Sequence, residues 1–118
     1  MESTTLLYRP VGPRELQLIA ESDYTAFPAR LPGQSIFYPV LNKEYAIQIA
    51  RDWNASSPKQ GAGYVTMFEV KTDFLAAYTV HTVGSSIHQE CWIPAEDLSK
   101  FNRNIVGKIQ IVAEFFAK

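Results

Sequence analysis

The residues with the strongest chemical potential in this chain sit at strand ends or share one strand face. In Ile87-His88-Gln89-Glu90-Cys91-Trp92-Ile93, strand alternation puts His88, Glu90 and Trp92 on one face and Gln89, Cys91 and Ile93 on the other. Glu90 is thereby set between two aromatic rings. Lining a cleft, it would accept a hydrogen bond from a sugar hydroxyl and stabilise positive charge developing in glycosyl transfer; on an exposed edge strand it would simply face water. Arg9 closes an apolar run just before Pro10, where a planar guanidinium can fork onto a phosphate or ribose, or form a surface ion pair. Tyr38, in Ile36-Phe37-Tyr38-Pro39, offers a ring either to a flat ligand or to the rim of the core. His81 and His88 fall on separate strands with no carboxylate at ligand spacing, so no metal site is expected.

The motifs of the commonest enzyme classes do not occur: there is no Gly-rich phosphate loop, no cysteine pair, no HExxH and no GxSxG. With 11 basic and 12 acidic residues scattered along 118, there is no basic stripe, which argues against bulk nucleic-acid binding. The single cysteine, Cys91, precludes an intrachain disulfide. The start, Met1-Glu2-Ser3-Thr4-Thr5, has neither a basic nor an apolar signal character, and no apolar run approaches the ~20 residues of a membrane helix. A cytoplasmic protein with no membrane association is the expectation.

The elements that must position these side chains follow from the hydrophobic pattern. Residues 5–9 read as a strand, and Pro13 then opens a helix over residues 14–21 that buries Leu16, Ile19 and Ala20. Residues 22–34, with Pro28, Pro32 and Gly33, read as an ordered surface loop that exposes Arg30. Residues 35–40 form a second strand, and Asn42 caps a helix with the face Tyr45, Ala46, Ile49, Ala50 and Trp53. After a loop over residues 54–63, strands are expected at 64–70, 79–83 and 87–93, with a single turn capped by Thr72 between the first two. Pro94 ends the third of these strands. A polar turn over 95–104 then leads to a last strand in which Ile109, Ile111, Ala113 and Phe115 share a face. Helices early and strands late predict one α+β domain over residues 1–118, with a mostly antiparallel, split sheet.

Leu7-Tyr8-Arg9-Pro10, then Ile36-Phe37-Tyr38-Pro39 running into Glu44-Tyr45-Ala46, then His88-Gln89-Glu90-Cys91-Trp92-Ile93-Pro94 resemble, in order, the three blocks of the ADP-ribosyltransferase superfamily. The whole pattern, with Phe27-Pro28-Ala29-Arg30-Leu31-Pro32 and Phe101-Asn102-Arg103-Asn104-Ile105-Val106-Gly107, is similar to small bacterial proteins grouped under ADP-ribosylation and a J-type crystallin. The resemblance implies a minimal ADP-ribosyltransferase-like fold with NAD as substrate. Arg9 and Tyr8 would hold the NAD, Tyr38 and Tyr45 would pack its nicotinamide side, and Glu90, assisted by His88, would polarise the ribose hydroxyl. It implies an NAD-dependent transferase or NAD glycohydrolase of unknown acceptor. The other reading is a non-catalytic module of the same fold that binds an ADP-ribose-like ligand, or a protein partner through Trp53, Trp92 and Phe116.

Overall fold

Side chains along residues 4–11 alternate between two apolar environments, and this strand, β1 (Thr4–Val11), is the seed of the architecture. The computed structural model describes residues 3–117. In chain order β1 is followed by α1 (Pro13–Glu21), β2 (Ile36–Phe37), α2 (Lys43–Ile49), β3 (Ala62–Lys71), α3 (Thr72–Leu75), β4 (Val80–Thr82), β5 (Gln89–Cys91), β6 (Ile93–Pro94), α4 (Leu98–Arg103) and β7 (Ile105–Phe116). The result is an α+β fold with antiparallel strand pairing. Its radius of gyration, 13.7 Å, compares with roughly 13.5 Å for a compact chain of this length.

The long strands pair in the order β1-β3-β7, and the short ones pair as β2 with β6 and β4 with β5. Val40 stitches these groups together. It exchanges two backbone hydrogen bonds with Tyr8 of β1, at 2.9 and 2.7 Å, and forms a bridge to Glu90 of β5 on its other side. Beyond the Tyr8–Val40 pair the next hydrogen-bonded pair in that antiparallel register would be Pro10 with Tyr38, and Pro10 has no N–H to donate, so the ladder loses its next rung. A gap between β1 and residues 36–39 is the consequence.

Two apolar layers cover the sheet. Leu7, Val11, Ile19, Phe27, Phe37, Phe68, Ile93 and Phe101 form the larger, into which α1 and α4 pack. Val40, Ala46, Ala50 and Val65 form the smaller, beneath α2, with Tyr8, Tyr45 and Phe115 against them. Residues 22–34 are ordered as expected: Phe27 enters the larger core, and its backbone N–H and C=O are both held by the amide of Asn102 at 2.9 and 3.0 Å.

Several expectations are corrected. Helix is not confined to the early chain: residues 95–104 hold a 3₁₀ turn and α4, whose Leu98 and Phe101 lie one turn apart in the core. Two apolar residues are too few to show a helical period in sequence. Strand pairing at residues 35–40 is limited to Ile36–Phe37 and the Val40 bridge, because Pro39 interrupts it. Thr72 opens α3 without capping it; its hydroxyl pairs instead with Thr5 at 2.8 Å. Asn42 does cap α2, its side chain accepting from the Tyr45 N–H at 3.1 Å. Trp53 leaves the face assigned to it and is 74% exposed, because residues 50–54 continue α2 as a π turn, with the Ala55 N–H donating to the Ala50 carbonyl at 2.9 Å. In β7 a bulge opposite Val65 and Thr66 breaks the alternation, so Ile109 faces the larger core while Ala113 and Phe115 face the smaller.

Candidate functional site

Arg9 shares the core side of β1 with Leu7 and Val11, which is why so polar a side chain is only 9% exposed. Burying it requires a partner, and Glu15 of α1 supplies a fork: Arg9 Nε donates to Oε2 at 2.6 Å and Nη2 to Oε1 at 3.0 Å. The guanidinium carbon also lies 4.5 Å from the centroid of the Phe37 ring. The Arg9 backbone is fixed separately, its carbonyl accepting from the buried Thr66 hydroxyl at 2.8 Å. Arg30 reaches the same ring, 5.9 Å from its centroid. The expectation that Arg30 is exposed is therefore corrected: the ordered loop lays it, half-buried, over Phe37. Burial, then the charge of Arg9, pull its pKa down.

On the other side of the gap Glu90 is held by two donors. The Tyr45 hydroxyl donates to Oε2 at 2.5 Å and the Trp92 indole N–H to Oε1 at 2.9 Å. Alternation places Cys91 and Ile93 in the core and leaves Glu90 and Trp92 together, as the sequence pattern requires. Each donor ring is backed by a histidine: His88 stacks on Tyr45 at 4.4 Å and His81 on Trp92 at 3.9 Å. Tyr38 meets the Trp92 ring edge-on at 5.9 Å. A carboxylate has about four acceptor positions, so two remain for a ligand. Burial, then the bond to Glu90, raise the Tyr45 pKa, so the phenol stays a donor at any physiological pH.

The gap is a pocket of about 450 Å³, lined by Arg9, Arg30, Tyr38, Asn54, Glu90 and Trp92 over an apolar floor that includes Val40 and Ile49. A second hollow of about 380 Å³, reaching α1 through Gly12, Arg14 and Lys59, shares Arg9, Pro10 and Asn54 with it. Of the residues expected to carry function, Arg9, Tyr38 and Glu90 come together in the pocket. Tyr45 stands behind Glu90. His88 lies one ring further back, its Nδ1 and Nε2 each 3.1 Å from the Val83 carbonyl and Gln48 Oε1, and does not line the pocket. Tyr8 packs against the smaller core, away from the pocket wall.

Sequence reasoning missed Glu15, Arg30, Asn54 and His81. Proximity of Glu15 to Arg9 was the one available signal, since a proline turn folds the first helix back on the first strand. Asn54 had none, because a π turn carries no sequence signature. Cys91 is buried, which pushes its thiol up to about 11 and makes it a poor nucleophile near neutral pH. Among the described residues no three His, Cys, Asp or Glu side chains are grouped to hold a metal ion, and no helix is long and apolar enough to cross a membrane. No protein-family model, no curated protein and no solved structure matches this chain.

Proposed function

We propose that this chain is a minimal ADP-ribosyltransferase-like domain that binds NAD in the gap of its sheet. The observation that carries the reading is the convergence of Arg9, Tyr38 and Glu90, from three separate segments of the chain, on one pocket of about 450 Å³. That volume lies within the usual range for small-ligand sites, roughly 300–1,000 Å³, and the adjoining hollow lengthens it for a dinucleotide. The polar lining is divided, with guanidinium groups near β1 and a carboxylate on β5, and this suits a ligand with a phosphate group at one end and sugar hydroxyls at the other.

Glu90 accepts a hydrogen bond from a hydroxyl of the nicotinamide ribose. As the glycosidic C–N bond breaks, its electron pair leaves with the nicotinamide nitrogen, and positive charge grows on the anomeric carbon and ring oxygen. The carboxylate, oriented by Tyr45 and Trp92, stabilises that charge without having to reorganise. A nucleophile on the acceptor then forms the new bond at the anomeric carbon and gives up its proton; with water as nucleophile the reaction is NAD hydrolysis. Tyr38 and Trp92 offer ring surface to the nicotinamide.

The test is a titration of the labelled protein with NAD by NMR, with the nicotinamide signals followed for hours. Shifts around Arg9, Tyr38 and Glu90 with nicotinamide release are expected. Glu90→Gln should keep the fold and lose about 10²–10³-fold in turnover, the scale for removing one electrostatic stabiliser; an unchanged rate would remove Glu90 from the chemistry. A second reading is favoured by the closed Arg9–Glu15 fork, which leaves that guanidinium less free for a ligand: a non-catalytic module for an ADP-ribose-like molecule. Binding of ADP-ribose with no nicotinamide release from NAD would select it.

A further inference from the structure

Two side-chain polar atoms among the described residues are buried with no hydrogen-bond partner, Arg30 Nε and Asn54 Oδ1. Both belong to residues that line the pocket facing Glu90. A buried polar group left unpaired is destabilising, and two unrelated defects have no reason to fall in one cavity. One is a donor and the other an acceptor, so no single simple ion satisfies both.

The two arrive by different local devices. Arg30 stands on the loop pinned by Phe27 and Asn102, over the Phe37 ring. Asn54 is the last residue of the π turn, where its amide nitrogen donates to Gln60 Oε1 at 2.9 Å and its oxygen is left over. Single π turns of this kind recur at functional sites because they re-aim a side chain that α geometry would send elsewhere. Charge separates Arg30 from its neighbour: Arg9 is forked by Glu15, whereas Arg30 has no hydrogen bond or ion pair among the described residues. The β1 side of the pocket thus carries two guanidinium groups and one carboxylate, while Glu90 on the opposite wall is already held by Tyr45 and Trp92.

We infer that Arg30 and Asn54 are ligand-binding residues, Arg30 Nε donating to an anionic phosphate oxygen and Asn54 Oδ1 accepting from a hydroxyl or amide N–H of the same ligand. The ligand class is a phosphate ester that also carries a sugar or a carboxamide. The inference rests on the proposed NAD reading for the identity of that ligand, in which Arg30 takes the diphosphate. A bound phosphate also offsets the repulsion between Arg30 and Arg9.

The full chain, labelled with ¹⁵N, is titrated separately with NAD, ADP-ribose and inorganic pyrophosphate while the Arg30 side-chain Nε–H signal is followed. Its assignment comes from Arg30→Lys, which keeps the charge and lacks that group. We expect the signal to move and to exchange more slowly with water for all three ligands. Arg30→Gln should weaken each by about tenfold or more, the equivalent of ~1.4 kcal/mol; Asn54→Ala should weaken NAD and ADP-ribose and leave pyrophosphate unchanged. NAD binding with an unmoved Nε–H and full affinity in Arg30→Gln would overturn the inference and leave the NAD reading intact. Pyrophosphate binding that moves the signal and depends on Arg30, with no binding of NAD, would uphold the anion contact and overturn the NAD reading. If none of the three binds, both fall. The signal is read on the unaltered protein, so a misfolded variant cannot decide the outcome.

Discussion

At the scale of single residues the site is organised around Glu90, and its orientation is set by groups distant in sequence. Tyr45 is the closer of its two holders, at 2.5 Å against 2.9 Å for Trp92, and a bond to a charged acceptor contributes about 1.5–3 kcal/mol, with the lower end suited to a half-buried pair. Tyr45→Phe should therefore reduce stability modestly, and its pH dependence identifies the cause. The Tyr45 phenol has a raised pKa in the folded chain, from burial and from Glu90, and burial also pushes Tyr78 up to about 12, assisted by Asp97. Above the ordinary tyrosine value near ~10 the unfolded chain gives up these protons while the folded chain keeps them, so stability is complete below that pH and falls as pH rises. Urea unfolding at about pH 9 and about pH 11 should show a smaller loss for Tyr45→Phe than for the parent; an identical loss would mean the phenol is not held as described. Glu90 and Trp92 were legible in the sequence because alternation in a strand fixes which side chains share a face. Tyr45 lies 45 residues earlier and meets Glu90 only through the tertiary fold. Arg30 was misread because a charged residue in a proline-bounded loop reads as exposed; the Phe37 ring that shelters it belongs to another element.

At the scale of elements, the junction of α2 with β3 decides whether Asn54 reaches the pocket. Gly63 is the enabling residue: a Cβ there would stand 2.1 Å from the Ala50 carbonyl oxygen and 2.8 Å from Asn54 Cβ, both parts of the π turn. Neither can yield without moving that turn, so Gly63→Ala should cost about 1–3 kcal/mol, as overpacking does, and should also disturb signals of Asn54. A fully stable Gly63→Ala would show that the π turn is not pressed against β3. At the other end of α2, Asn42→Ala should cost about 1 kcal/mol through loss of the cap, measured by the same denaturation; no change would mean that the Tyr45 N–H finds another acceptor. The cap was legible because asparagine before an amphipathic run has a specific geometric use. The π turn was not, since the pattern Tyr45, Ala46, Ile49, Ala50 and Trp53 is perfect for an α-helix, and only packing against Gly63 shows why it fails at Trp53. The bulge in β7 is a second case: the apolar alternation persists in the sequence while the backbone slips by one residue.

At the scale of the whole molecule, antiparallel α+β character was readable from the order of elements, but the way the sheet divides was not, because it depends on Pro10 of β1 meeting residues 38–40 only after folding. The β1-β3-β7 unit and the short-strand unit share one backbone seam, in which Tyr8 and Val40 exchange bonds, Leu41 N–H donates to the Gln89 carbonyl at 3.1 Å, and Cys91 N–H donates to the Pro39 carbonyl at 2.9 Å. So few bonds make local opening of this seam easier than global unfolding, and the amides of Val40, Leu41 and Cys91 should exchange with deuterium faster than those of Leu7, Val65 and Phe68 in the long strands. A ligand bridging the gap touches Arg9 on one unit and Glu90 on the other, so opening the seam must break its contacts. Saturating NAD should therefore slow exchange at Tyr8, Val40, Leu41 and Cys91 together, by a common factor set by the ligand concentration relative to its Kd. Slowing confined to the β1 side, with Cys91 and Leu41 unaffected, would place the ligand in the hollow beside α1 alone and exclude a role for Glu90 in binding it. Common slowing would mean that the division of the sheet at Pro10 is the feature that makes the site.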